Sequence, residues 1–211
     1  MKKLGFLLFL VLMLGIASGS ALAQNVGDNS VYFVTYYANN VTAAPDATVR
    51  VINDGDEGPY ASPPGNGTAY ADFFVFDDSE ELITCCSCAV TPDGLLSESV
   101  KAMTKVGLRG LAPTRGVIKM ISSSNGFFPQ NHDPLPAPEV TSPGLHGWAT
   151  HIQSTANKTP NGPAPYSQTE TRFADANLTP AEQNLLELLC WVDVAEVSGI
   201  ACPCTPEDYD F

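Results

Sequence analysis

Six cysteines, gathered into two short clusters far apart in the chain, constrain the fold more than any other feature. Cys85, Cys86 and Cys88 stand in the string CCSC, while Cys190, Cys202 and Cys204 lie near the C-terminus, the last two as Cys-Pro-Cys. Spacing alone does not choose among the many pairings that six cysteines admit. Neighbours such as Cys85 and Cys86 make a strained bridge, so at least one bond is expected to join the first cluster to the second. Closing a loop of about 100 residues removes unfolded-state entropy worth roughly 4–5 kcal/mol. The competing reading is a metal carrier, because thiolates at CCSC and Cys-Pro-Cys suit soft ions such as Cu(I) or Zn. No histidine lies close in sequence to either cluster, and a Cys-Pro-Cys dithiol is also a candidate for redox exchange.

The compartment favours disulfides. Lys2 and Lys3 precede an uncharged apolar run, Leu4 to Ile16, and the triplet Ala21-Leu22-Ala23 supplies small residues at the positions of a cleavage site. The run falls short of the roughly 20 residues a membrane span requires, and no stop-transfer cluster of Lys or Arg follows it. Residues 1–23 are therefore expected to be a signal peptide, with Gln24–Phe211 the mature chain and no membrane insertion after cleavage. Export favours three structural disulfides among the six cysteines.

The 211-residue precursor carries 10 Lys and Arg against 23 Asp and Glu; loss of Lys2 and Lys3 leaves eight bases and a net charge of −15. A chain so acidic repels phosphate backbones and anionic lipid surfaces, which argues against nucleic-acid and membrane-surface roles. Charged residues make up only 16% of the chain, and 17 Gly and 17 Pro mark many turns. With 44% hydrophobic residues there is enough for a packed core. That mixture suits a sheet protein better than a helical bundle or a disordered chain.

Five strands are legible. Residues 31–38 (VYFVTYYA) are aromatic and β-branched. Residues 46–53 alternate, with Ala47, Val49 and Val51 on one face. Residues 69–77 carry three phenylalanines and are apolar on both faces, the mark of a central strand. Residues 115–123 and 145–153 complete the set. Thr91-Pro92-Asp93-Gly94 is a turn, and 95–106 reads as a short helix or an irregular edge. The polar, proline-rich stretches 124–144 and 154–167 read as loops, the former too long for an ordinary connection. Near the C-terminus, Thr179 as N-cap, Pro180 at the first helical position and Glu182 three residues after the cap predict a helix over about 180–192. Its apolar positions are Leu185, Leu186, Leu188, Leu189 and Val192. The expected architecture is one domain, residues 24–211: an immunoglobulin-like or jelly-roll-type β-sandwich, with a single C-terminal helix and a cysteine-containing tail, stapled by disulfides.

No catalytic constellation is legible: there is no G-x-S-x-G elbow and no H-E-x-x-H. His146 and His151 fall on opposite faces of a strand and, with His132, read as solvent-exposed. Two acidic clusters offer oxygen ligands of the type calcium takes, namely Asn53, Asp54, Asp56 and Glu57, and Asp77 and Asp78 with the acids that follow. Each reads first as a solvated turn and neither has the EF-hand register, so no cofactor is expected, with calcium as the alternative. The same clusters, 53–57 and 77–81, supply the carboxylates of an alternative reading, a secreted glycoside hydrolase. The N-x-S/T sequons at Asn40, Asn66, Asn157 and Asn177 read as chance occurrences.

At residues 73–100 (FFVFDDSEELITCCSCAVTPDGLLSESV), the chain resembles a group of uncharacterised exported bacterial proteins. These share a strand ending in FDDS, a CC-x-C cluster, a T-x-D-G-L turn, a strand like RGVIKMISS, and a C-terminal helix followed by C-x-C. The resemblance spans most of the mature chain; it implies export and disulfides and carries no activity. The function expected is a non-catalytic structural, adhesive or binding role outside the cytoplasm, in the periplasm or secreted. The partner is an extracellular molecule, or a second copy reached through strand 31–38 or loop 124–144.

Overall fold

The computed structural model describes residues 29–41, 44–55, 67–104, 113–126, 140–155, 165–196 and Cys204. The expected signal peptide, His132, Asp56, Glu57, Cys202 and most of loop 124–144 lie outside the described residues.

In chain order the strands are β1 (Tyr32–Ala38), β2 (Thr48–Asn53), β3 (Ala69–Asp77), β4 (Leu82–Val90) and β5 (Leu95–Ser99). The short helix α1 (Val100–Thr104) follows, then β6 (Arg115–Ser123), β7 (Leu145–Ser154), β8 (Tyr166–Arg172), β9 (Ala174–Asp175) and the helix α2 (Pro180–Glu196). They form two antiparallel sheets, ordered β4-β3-β6-β1-β9 and β5-β2-β7-β8. All five strands read from the sequence are present. The stretch 95–106, expected to be a helix or an irregular edge, divides into β5 and α1, so the C-terminal helix is not the single helix of the chain. That helix also runs to Glu196, beyond the expected end near residue 192.

The two sheets share one core. Phe33, Phe73, Val75, Ile118 and Met120 from the first sheet meet Val49, Val51, Leu145 and Ala149 from the second. Period-2 alternation sends the neighbouring residues of the first sheet the other way. Tyr32, Phe74, Phe76 and Ile121 form a second cluster with Leu186 and Cys190 of α2. Strand β3 is therefore apolar on both faces because it is sandwiched between the second sheet and the helix. Of the apolar positions on α2, Leu186 is buried, whereas Leu185, Leu188 and Val192 are exposed.

The helix start follows its sequence signal in part. The Thr179 hydroxyl accepts the Glu182 backbone N–H at 3.2 Å, the expected cap. The Glu182 carboxylate reaches across to the sheet, accepting from Tyr32 Oη at 2.9 Å and from Lys119 Nζ at 2.5 Å. The Lys119 ammonium holds Glu182 below the usual carboxylate range. Burial and this carboxylate raise the Tyr32 phenol.

The CCSC string is explained by the strand it lies on. In β4 adjacent side chains face opposite sides, so Cys85 joins the helix-side cluster while Cys86 and Cys88 join the inter-sheet core. Cys85 is bonded to Cys190 of α2 (Cα–Cα 5.8 Å, 105 residues apart), and Cys88 to Cys204 (5.4 Å, 116 residues apart). Cys86 is disulfide-bonded as well, and no described cysteine is free. One edge strand is thus stapled on both faces to the C-terminal segment.

The sheets also meet away from β4. The chain passes from β8, at the edge of the second sheet, into β9, at the edge of the first, by way of buried Phe173. Phe173 N donates to Gly147 O at 2.8 Å. At the far end of β1, Asn39 forms a parallel bridge with Ile152 of β7. No described helix is long and apolar enough to cross a membrane.

Candidate ligand-binding cleft

Where β1 runs up against β7, the surface opens into a cleft of about 520 Å³. Its walls come from four places in the chain: the end of β1 (Tyr36, Tyr37), the start of β6 (Arg115, Gly116), the end of β7 (Gln153, Ser154) and the β3–β4 turn (Asp78). Consecutive tyrosines on a strand point to opposite sides, and this pair divides the work. Tyr36 is 45% exposed, whereas Tyr37 is 1% exposed.

Tyr36 is held in place. Its ring stacks on the His151 imidazole with centroids 3.9 Å apart and planes 12° from parallel. Gln153 Nε2 donates to its hydroxyl at 3.4 Å. His151, expected to face solvent, is instead fully buried. It lies on the inward side of β7 together with Leu145 and Ala149, and its Nε2 is 2.7 Å from Thr171 Oγ1 of β8. Burial lowers its pKa, which keeps the ring neutral. A neutral imidazole presents no cationic charge beneath the Tyr36 ring.

Tyr37 lies across the backbone of Gly116, its partner in the β1–β6 ladder. A side chain at Gly116 would collide with the Phe76 carbonyl and come within 2.8 Å of the Tyr37 hydroxyl. The glycine is required by this close approach. The Tyr37 hydroxyl is buried and has no hydrogen-bond partner among the described residues. Burial, reinforced by Asp77 and Asp78, raises its pKa and keeps it protonated.

The charges on the rim cancel. Arg115 Nε lies 2.6 Å from Asp78 Oδ2, both side chains well exposed. Asp78 is the one carboxylate among the described residues that line the cleft.

The other candidates from the sequence are placed elsewhere or engaged. Buried Asn53 donates to the carbonyls of Gly67 and Val90 and accepts from Gly55 N, which ties the approach to β3 and the end of β4 to the end of β2. Asp54 lies 2.9 Å from His146 Nε2, on the opposite face of β7 from His151. Asp77 accepts the backbone N–H groups of Ser79 and Glu81 and closes the β3–β4 turn. Among the described residues, the one group of three metal-ligand atoms lying close together is Cys86, Cys88 and Cys204, within 4.8 Å of one another. All three are in disulfides, and a disulfide sulfur is not a thiolate ligand. The cleft residues Tyr36, Tyr37, Arg115 and Gln153 were not singled out from the sequence. The available signal was the Tyr-Tyr pair, which puts one phenol outside the core.

No protein family matches the chain, and no curated protein or solved structure matches it.

Proposed function

We propose that this chain is an exported, non-catalytic β-sandwich protein, of immunoglobulin-like or jelly-roll character, that acts by binding a partner or ligand outside the cytoplasm. The observation that carries the binding reading is the cleft, with its fixed aromatic wall and its neutral, polar rim. Glycoside hydrolysis needs two carboxyl groups flanking the scissile bond, and Asp78 is a single carboxylate already paired with Arg115. The disulfides support an oxidising compartment, as the N-terminal sequence does.

The test uses the full precursor produced in a bacterial host. The exported fraction is expected to begin at Gln24, to have lost six hydrogens to three bridges, and to leave polysaccharide substrates uncleaved. Retention in the cytoplasm with free thiols overturns the export reading. Glycosidic hydrolysis abolished by Asp78→Asn overturns the non-catalytic one.

A further inference from the structure

We propose that the cleft at the β1–β7 junction binds a neutral saccharide, with Tyr36 as the platform on which a sugar ring stacks. This rests on the binding reading above and names the ligand class for the same site.

Two features point to that chemistry. The first is Tyr36 itself, an aromatic ring exposed to the cleft yet fixed by the His151 stack and the Gln153 hydrogen bond. A ring held this way loses little freedom when a ligand stacks on it, so less affinity is lost to ordering. The apolar C–H face of a sugar complements such a ring, as aromatic faces accept apolar and weakly positive groups.

The second is the polar surround. Gln153, Asn40 and Ser154 line the cleft with groups that both donate and accept. Vicinal hydroxyls, each a donor and an acceptor, match such side chains, whereas a purely apolar ligand would strand them. The Asp78–Arg115 pair neutralises its own charge, so the cleft offers no unbalanced charge to a charged ligand. The strongly acidic chain as a whole also repels anions.

The experiment is a titration of the ¹⁵N-labelled mature chain, bridges intact, followed by backbone amide shifts. The probes are cellohexaose, laminarihexaose and maltohexaose. Tetragalacturonate serves as the anionic counterpart and a neutral hexapeptide as the non-sugar control. The expected result is saturable shifts at Tyr36, Gly116, Gln153 and Ser154 with at least one neutral hexasaccharide and none with tetragalacturonate. Tyr36→Ala is expected to weaken binding about tenfold while the chain stays folded with its bridges intact, and Tyr36→Phe to retain most of the binding. The proposal is overturned if no neutral hexasaccharide shifts these amides at up to about 10 mM, ten times the Kd of a 1 mM complex. It is also overturned if the shifts map elsewhere or if Tyr36→Ala binds as well as the parent. Saturable binding of the hexapeptide in the cleft, with no sugar binding, overturns the saccharide class and leaves the binding reading standing.

Discussion

Removing the bridge between Cys85 and Cys190 by the double substitution Cys85→Ala/Cys190→Ala tests how the staples share their stabilisation. Taken alone, closing a loop of 105 residues contributes about 4.8 kcal/mol by chain entropy. The bridges are interleaved, however, and the second of them, Cys88–Cys204, spans 116 residues. While it is intact, the chain path from Cys85 to Cys190 is a short ring: three residues along β4, across the second bridge, and fourteen residues back to Cys190. Closing a ring of about 17 residues is worth about 3 kcal/mol. Single-bridge removal is therefore expected to cost about 3 kcal/mol, which lowers Tm by about 6–12 °C in a domain of this size. Removing Cys88–Cys204 in the same way should cost a similar amount. The variant lacking both should lose more than the sum, provided Cys86 is also freed, because the last bridge to go opens the long loop. Urea unfolding of the three variants, with Cys86 and Cys202 replaced by alanine throughout, measures this directly. Strictly additive losses, or a first removal costing about 5 kcal/mol, would refute the reasoning.

Gly116→Ala forces a methyl group against the Phe76 carbonyl and Tyr37; a loss of at least about 3 kcal/mol in urea unfolding is expected. The Glu182 carboxyl is depressed in the folded state, so its contribution is full above the unfolded value of about 4.3 and is lost as pH falls through the lower folded value. Glu182→Gln should destabilise by about 1–2 kcal/mol at pH 7 and narrow its gap to the parent at pH 3, read from urea midpoints. His151, whose pKa is lowered by burial, should keep the ¹³C shifts of a neutral imidazole when pH falls below its ordinary value of about 6.5. The unfolded chain takes up that proton first, so this residue's share of stability is present above about 6.5 and declines as pH falls below it. Non-reducing peptide mapping should recover Cys85–Cys190 and Cys88–Cys204, with Cys86 linked to Cys202, the one cysteine that remains.

Much of the fold was legible because its strands obey period 2 and its helix begins with a cap. Strand β3 announced its central place through Phe73, Phe74 and Phe76, which no half-exposed strand would carry together. Strand β8 was invisible for the opposite reason: YSQTETR is polar throughout and exposed on every residue, so no alternation betrays it. The burial of His151 escaped notice because a histidine reads as polar, while its place on the inward side depended on the register of β7. The disulfide partners were hidden because they are set by which side of β4 each sulfur faces. The cleft was hidden for a related reason. Its walls come from four separated segments, and Tyr36 and Tyr37 look in sequence like ordinary strand formers. Asn53 and Asp77 carry a second signal besides calcium ligation, because short polar side chains at turns also bind neighbouring backbone groups, as both do here.

The staples impose an order in time. A ribosome adds about 5–20 residues per second, so the 105 residues from Cys85 to Cys190 take about 5–20 seconds to appear. For that interval β4 exists with three thiols whose partners have not been made. Its hairpin with β3 and the ladder to β6 can form from residues already present. The covalent clasp cannot close until Cys190 and Cys204 emerge. A chain arrested before residue 190 can therefore hold the sheet strands but never the lock.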